Sequence, residues 1–409
     1  MFSKYIFKNK TIDANWSIIL PVFSLIFIGL VILYSTKGDL ILMESNFFKH
    51  LIFFSLGLVV FYLIQLIRST FFYETAYFLY FLLIVLLMAT FFMPEKFGAS
   101  RWIVIGSFRF QPSEFGKIVI VFALSKFLSD YRGDKDSFFL ISSVLMIAFL
   151  PAALIFKQPD LGTAIIFPAI TYPMLFWAGV RSFHLFVVIS PLLSILAAFN
   201  LKIFYLWMFI LIFIIFLSQP IVRNGIFLFV LNLFFGTLSS FIWNNLYAHQ
   251  KNRILTFLDP ARDPLGDGYQ IIQSITAIGS GGFLGKGYGQ GSQTHLRFLP
   301  VRDSDFIVSV IGEEFGFVGV LIVFILFYIL LSSIIKRAGK LNNQFGSFVL
   351  IGFASIFFFH VIINMGMVVS LFPVTGLPLP FISYGGTFLL SMIFMVSIIN
   401  NIINNDIEI

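Results

Sequence analysis

The sequence predicts an all-α polytopic membrane protein, and two observations carry that prediction. The chain is 59% hydrophobic and only 11% charged, with a mean hydropathy of +0.98. A soluble protein of 409 residues needs more polar surface than this to face water. The second observation is distribution: apolar runs of about 20 residues, the length that crosses a bilayer as a helix, recur along the chain. The 57 phenylalanines, beside abundant Ile, Lys and Asn, fit a base-composition bias and identify no function. Cysteine is absent, which excludes disulfides and thiolate chemistry.

Taken in order, the apolar runs place helices near 16–35, 48–67, 71–93, 112–130, 138–156 and 162–179. Three more follow near 184–199, 203–218 and 223–245, separated only by Asn200 with Lys202 and by the turn from Gln219-Pro220 to Arg223-Asn224. After a polar stretch come 305–334, 345–369 and 384–403, which makes twelve spans with both termini on one side. The whole of 1–409 reads as one membrane domain.

Lys/Arg bias orients it. Lys4, Lys8, Lys10, Arg68, Arg132, Lys135, Arg181, Arg223, Lys336, Arg337 and Lys340 fall in termini and short loops of one side, as the positive-inside pattern requires. The N-terminal flank, with three lysines and no small-residue cleavage site before the first span, reads as cytoplasmic rather than as a removable signal. Arg101, Arg109, Arg253, Arg262, Lys286, Arg297 and Arg302 lie on the opposite side, mainly in the two longest loops. They suit an anionic ligand there, or equally pairing to carboxylates and headgroups. The net charge of +7 is split between both faces, and no basic stripe for nucleic acid is present.

The most informative segment is the polar loop at 246–304, which carries nine glycines from Gly266 to Gly291 among Asp, Arg, Lys, Gln and His. So long a polar insertion in a membrane chain marks binding or chemistry. Asp263-Pro264-Leu265-Gly266 and Asp259-Pro260 are also good turn formers. The glycine run is not a nucleotide loop, because Ser280 replaces the first Gly and Gly287 follows Lys286 where Ser or Thr belongs. Flexible backbone lining a groove is the reading that remains.

In the 94–117 segment, Pro112 suits a first helical turn and Glu114 the positive helix end. Lys117 then falls at membrane depth, where an unpaired ammonium costs about 2.5–3.5 kcal/mol. It either pairs locally with Glu114 at i,i+3 or, with Arg101 and Arg109, points at phosphate from a cavity wall. Asp160, in Gln158-Pro159-Asp160-Leu161-Gly162, suits a helix cap. Glu313 and Glu314 are adjacent, so they do not share a helix face, and at least one turns into the bundle or an interface. The stretch 373–386, with three prolines and three glycines, reads as a rigid re-entry before the last helix. His184, His249, His295 and His360 lack metal-ligand spacing.

Five motifs in order resemble the SEDS family of bacterial cell-envelope proteins. They are RWIxxGxFRFQPSE with its following Lys, QPDLGTA, DPxGxGYQxxQSxxAIGSGGxxGKG, FLPxRxSDFIxxxxGEExGxxG and PxTGLPLPFISYGG. Gln158 and Pro378 resemble the elongation branch, RodA, more than the division branch, FtsW. Two departures from the family pattern stand at Val301 and Ser304, where an acidic residue and Thr are usual. The resemblance implies a ten-helix core, so the three spans between 180 and 245 imply an inserted transmembrane hairpin at about 180–222. It makes 246–304 a large extracytoplasmic catalytic loop.

The resemblance further implies a peptidoglycan glycosyltransferase of the cytoplasmic (inner) membrane that polymerises glycan strands from lipid II during cell elongation. Its catalytic aspartate falls on Asp263. The polar residues of its fourth span fall on Gln111, Glu114 and Lys117, its loop pair on Arg101 and Trp102, and its turn aspartate on Asp160. With Arg109 and Ser383 these are the residues expected to bind substrate or pyrophosphate. No metal cage is written in the sequence, although a divalent cation (Mg²⁺ or Mn²⁺) bridging Asp263 and pyrophosphate is compatible with it. Expected partners are lipid II and undecaprenyl-linked glycan, a class B penicillin-binding transpeptidase and other elongation-complex proteins. A lipid II flippase and a division-type polymerase are the rival readings.

Overall fold

The computed structural model describes residues 13–38, 41–93, 101–105, 108–218, 222–245, 251, 255–257, 259–264, 266–295 and 298–405. Its long helices are α1 (Trp16–Ser35), α2 (Asn46–Gln65), α3 (Ser69–Ala89), α4 (Pro112–Asp130), α5 (Phe138–Lys157) and α6 (Leu161–Trp177). Then follow α7 (Ser182–Ala197), α8 (Leu201–Ser218) and α9 (Val222–Asn245), the shorter α10 (Asp267–Gly281) and α11 (Ser292–His295), and finally α12 (Ile307–Ala338), α13 (Gln344–Val368) and α14 (Gly386–Asn404). Among the described residues, nine helices are at least 18 residues long and apolar enough to cross a membrane. Helices α6 and α7 are apolar but shorter, and α4 carries more charge. Together these make twelve helices, each within a few residues of a position where a span is expected.

One local departure from an all-α chain is a small antiparallel hairpin, β1 (Ile103–Ile105) with β2 (Phe108–Phe110), in the register Ile103↔Phe110 and Ile105↔Phe108. Its Ile-Val-Ile strand facing a Phe-Arg-Phe strand suits a strand pair, and it delivers the chain into Pro112 at the first turn of α4.

Contacts between helix ends define two faces. On one, Asn400 accepts the Asn15 amide at 2.9 Å and donates to Gln65 at 2.9 Å, tying the start of α1 to the ends of α2 and α14. On the other, the segments before α4, α6, α12 and α14 converge. Helices α4, α13 and α14 are the most buried and form the centre, with Phe122 stacked on Phe72 at 5.3 Å between ring centroids and touching Phe345 and Phe353. Lipid tails are as apolar as these side chains, so close approach matters more than burial of apolar area. A Cβ on Gly29 would lie 2.7 Å from the Ile382 carbonyl oxygen, so only glycine lets α1 rest on the 369–385 re-entry.

Helices α7 to α9 form a second, smaller cluster of their own around Leu211 and Leu228. A polar chain stitches it together: Trp207 donates to Ser194 at 2.7 Å, Ser194 to Asn232 at 2.6 Å, and Asn232 to Ser190 at 2.9 Å. This three-helix unit is fastened at the terminus-bearing face, where Asp136 pairs with Arg181 at 2.8 Å and with His184 at 3.4 Å.

Candidate active site

Two groups of polar side chains occupy the face opposite the termini. The first is built on the start of α4. Pro112 opens the helix, and Glu114 in its first turn accepts from the Lys117 ammonium at 2.9 Å. Lys117 has no exposed surface and also meets Nε2 of His360 at 3.2 Å, with the Phe388 ring centroid 5.1 Å away. The second ring nitrogen of His360 lies 3.1 Å from the Pro378 carbonyl, so the Nδ1–H tautomer satisfies both contacts. The local Glu114–Lys117 pair is therefore formed, and in this conformation Lys117 is sealed rather than facing an open cavity. His360, which the sequence presents as ordinary, is its partner from 243 residues away.

Asp160 sits beside this pair at the mouth. It caps α6 through the Thr163 amide at 3.4 Å, accepts from Gln111 at 3.2 Å, and lies 3.8 Å from the Arg101 guanidinium. Arg101 also donates to the carbonyls of Gln158 and Pro159, and its side chain remains 35% exposed. Trp102 is half-buried next to it. Arg109 lies on β2, and its side chain is outside the described atoms. Gln158 is locked separately, donating to Thr90 at 2.7 Å and the Leu87 carbonyl at 3.1 Å. The structure thus brings Arg101, Gln111, Glu114, Lys117 and Asp160 together.

The second group belongs to the glycine-rich loop. Asp259 begins a 3-10 turn, Pro260–Arg262, by accepting the Ala261 amide at 3.2 Å. Asp263 follows, half-exposed, and its Oδ1 accepts the Gly266 amide at 3.0 Å just ahead of α10. A Cβ on Gly266 would overlap that carboxylate, so glycine there lets the acid fold close over the helix start. Residues 246–250, 252–254, 258, 265 and 296–297, including His249, Arg253 and Arg297, lie outside the described residues. Among the described residues no three His, Asp or Glu side chains gather as a metal cage.

The glycine run is not a loose groove lining. Helix α12 breaks at Gly316 (φ 65°, ψ −159°), where Phe317 and Val318 would otherwise bond back to Glu313 and Glu314. Instead Phe317 N donates to Gly282 O at 3.0 Å and Val318 N to Phe283 O at 3.2 Å. In return Lys286 N donates to Glu313 O at 2.9 Å and Gly287 N to Glu314 O at 3.0 Å. These backbone groups released by the kink are satisfied by the loop, as a membrane setting demands. Both acids of the GEE motif turn inward: Glu313 accepts from Lys286 at 2.8 Å, and Glu314 from Ser35 of α1 at 2.5 Å.

Ser383, expected among the binding residues, is committed to the re-entry. It donates to Ser304 O at 2.6 Å and accepts the Leu379 amide at 2.9 Å. Tyr384 N donates to Asp303 O at 2.8 Å, and Asn364 bridges Asp305 O and Leu377 O at 3.0 and 2.7 Å. These bonds lock the start of α12 to the re-entry. A cleft of about 500 Å³ remains there, lined by Asn46, Arg302, Asp303, Ser304 and Tyr384 among others.

Fold and site together define a polytopic helical membrane protein with a charged re-entrant site on one face. The FtsW/RodA/SpoVE cell cycle protein model matches residues 15–206 and 185–407, and the chain belongs to that family. It is 32% identical over 406 residues to the peptidoglycan glycosyltransferase MrdB of Escherichia coli K12, covering 98% of this chain and 96% of that one. A probable peptidoglycan glycosyltransferase FtsW from Trichlorobacter lovleyi is 37% identical over 311 residues, 75% of this chain and 68% of that protein. A solved chain from a peptidoglycan synthase complex that coordinates polymerization and crosslinking superimposes with a TM-score of 0.74 at 25% identity, over 97% of this chain and 99% of that one.

Proposed function

We propose that this protein is a peptidoglycan glycosyltransferase that polymerises glycan strands from lipid II at the outer face of the bacterial cytoplasmic membrane, with both termini cytoplasmic. The observation that carries the reading is the half-exposed Asp263 carboxylate, held by the Gly266 amide at 3.0 Å on the face where Arg101, paired with the buried Asp160, also meets solvent. Family membership and the names of the relatives support the reaction class. The expected lengthwise role is elongation, with division-type synthesis the alternative.

In the proposed reaction the acceptor sugar 4-hydroxyl attacks the anomeric carbon of the donor. A new C–O bond forms there as the bond to pyrophosphate breaks, and the pyrophosphate leaves with the electron pair. Asp263 takes the hydroxyl proton; a positioned base of this kind contributes about 10²–10⁴ in rate. Charge gathers on the leaving pyrophosphate, and Arg101, with Arg109 on the adjoining hairpin, is proposed to stabilise it. Lys117 sits one layer deeper; its part is to hold Glu114 and the first turn of α4 until substrate opens that layer. A divalent cation at Asp263 would draw most of its ligands from phosphate and water and would screen the pyrophosphate charge. The polyprenyl tail stays in the bilayer, since leaving it costs about 0.8 kcal/mol per CH₂.

A class B penicillin-binding transpeptidase is the proposed partner, supported by the similarity to a chain of a polymerising and crosslinking complex. The segment 180–222 is proposed to be the inserted hairpin; the two family matches overlap at 185–206, within α7 and α8. Incubating purified protein and its partner with lipid II tests the function. Glycan polymer supports it, whereas leaflet exchange of lipid II without polymer would favour the flippase.

A further inference from the structure

We infer that Glu313 is a positioning residue for the catalytic loop, acting through the glycine-rich segment after α10 to hold that helix and, at its far end, Asp263. The inference rests on the functional reading above. Glu313 lies in the seventh position of α12, roughly 9 Å along the helix from its start, with no exposed surface. A carboxylate so placed is expensive unless fully satisfied. Here Oε1 takes the Lys286 ammonium at 2.8 Å, the Gln293 amide at 2.9 Å and the Ser292 hydroxyl at 3.3 Å, while Oε2 takes the Thr294 amide at 3.0 Å. All four donors come from the glycine-rich segment. One side chain of the rigid helix therefore gathers both the turn after α10 and the start of α11.

The backbone exchange at Gly316 extends that hold. Gly285 has φ +81°, and a Cβ there would overlap the Glu314 carbonyl oxygen. A Cβ on Gly281 would overlap the Gly312 carbonyl oxygen. The C-terminal end of α10 is thus seated against the kink by close backbone approach and by Glu313 together. Farther along α10, Ser274 meets Ser309 at 2.7 Å and the Val368 carbonyl at 2.7 Å. Its N-terminal end carries the amide of Gly268, which donates to Asp263 O at 3.1 Å. A helix clamped at one end and along its length sets where the acid at the other end lies.

The chain has no native cysteine, so Ala261→Cys, at an exposed position two residues before Asp263, gives a single site for a nitroxide label. We would record label mobility and steady-state polymerisation of lipid II in the full-length protein with its partner, for wild type, Glu313→Gln, Lys286→Met and Glu313→Asp. The expected result for Glu313→Gln is a more mobile label and a kcat lowered about 10²-fold, the scale of a small misplacement of a reacting group, with KM little changed. Lys286→Met should move both readouts the same way. Glu313→Asp, which keeps the carboxylate, should recover part of each. Should Glu313→Gln fail to fold, Lys286→Met carries the test, since that side chain is 27% exposed. An unchanged label spectrum in these variants overturns the inference, whatever happens to kcat. If wild type makes no polymer, the functional reading fails and label mobility alone decides the positioning role.

Discussion

The Lys117 ammonium and Nε2 of His360 meet at 3.2 Å in a pocket closed to solvent, joining α4 to α13. Through His360 Nδ1 the contact continues to the Pro378 carbonyl of the re-entry at 3.1 Å. Lys117 is thus a structural keystone of the site as well as its deepest cation. Lys117→Met strands Glu114, and breaking a buried pair of this kind costs about 3–5 kcal/mol. Thermal unfolding in detergent should show that loss. The double variant Glu114→Gln/Lys117→Met should recover most of it while polymerisation stays low.

The seat of the glycine-rich loop against α12 predicts a second result. Gly281→Ala and Gly285→Ala each force a Cβ into a backbone carbonyl of α12, and Gly285→Ala adds left-handed strain of about 1–3 kcal/mol. Both should lower activity more than Gly289→Ala, whose Cβ meets nothing within 4 Å although its φ of +71° is also left-handed. Parallel activity and unfolding measurements on the three variants check this.

Asp305 gives a pH dependence. Burial raises its carboxyl above the ordinary 3.8, against a lowering hydrogen bond from Ser304. The folded state therefore keeps this proton to higher pH than the unfolded chain does. Stability from this group is greatest below 3.8 and falls as pH rises through the raised folded value. Asp305→Asn should remove that contribution, so its stability relative to wild type should rise as pH increases above 3.8. A pH-independent difference in denaturant midpoint would contradict the assignment.

The cluster of α7, α8 and α9 has its own core and its own hydrogen-bonded chain through Ser194 and Asn232. If this unit packs only at the periphery, an in-frame deletion of 185–218 leaves polymerisation largely intact, although it strips Asn232 of α9 of its Ser190 and Ser194 partners. A deletion protein that still folds but has lost activity would show that the unit takes part in function or partner contact.

Much of this architecture is legible in the sequence, because twenty-residue apolar runs translate directly into helices. Even the weakly separated α7, α8 and α9 fall close to their expected bounds, with Asn200 between α7 and α8 and α9 beginning at Val222. The Asp160 cap and the Glu114–Lys117 pair are legible for the same reason: their partners are three residues away. The role of His360 is not, since its bond to Lys117 depends on how α4 and α13 pack. The glycine run shows the same limit. Its composition reads as flexibility, yet Gly281 and Gly285 are required by close approach to α12, and that approach follows from a kink at Gly316 that no periodicity marks. At least one of Glu313 and Glu314 can be read as inward-facing, but that both are, with Lys286 and Ser35 as partners, depends on how distant parts of the chain pack. Ser383 is expected among the binding residues, whereas its bonds are to backbone.

The most direct test of the account is glycan-strand formation from purified lipid II by wild type and Asp263→Asn, each reconstituted with the crosslinking partner. The substituted side chain keeps an oxygen for the Gly266 amide, so the loop should stay folded while the base is lost. Wild type should make polymer and the variant should be slower by about 10²–10⁴, with unfolding temperature nearly unchanged. A folded Asp263→Asn protein that polymerises at close to the wild-type rate would contradict Asp263 as the base.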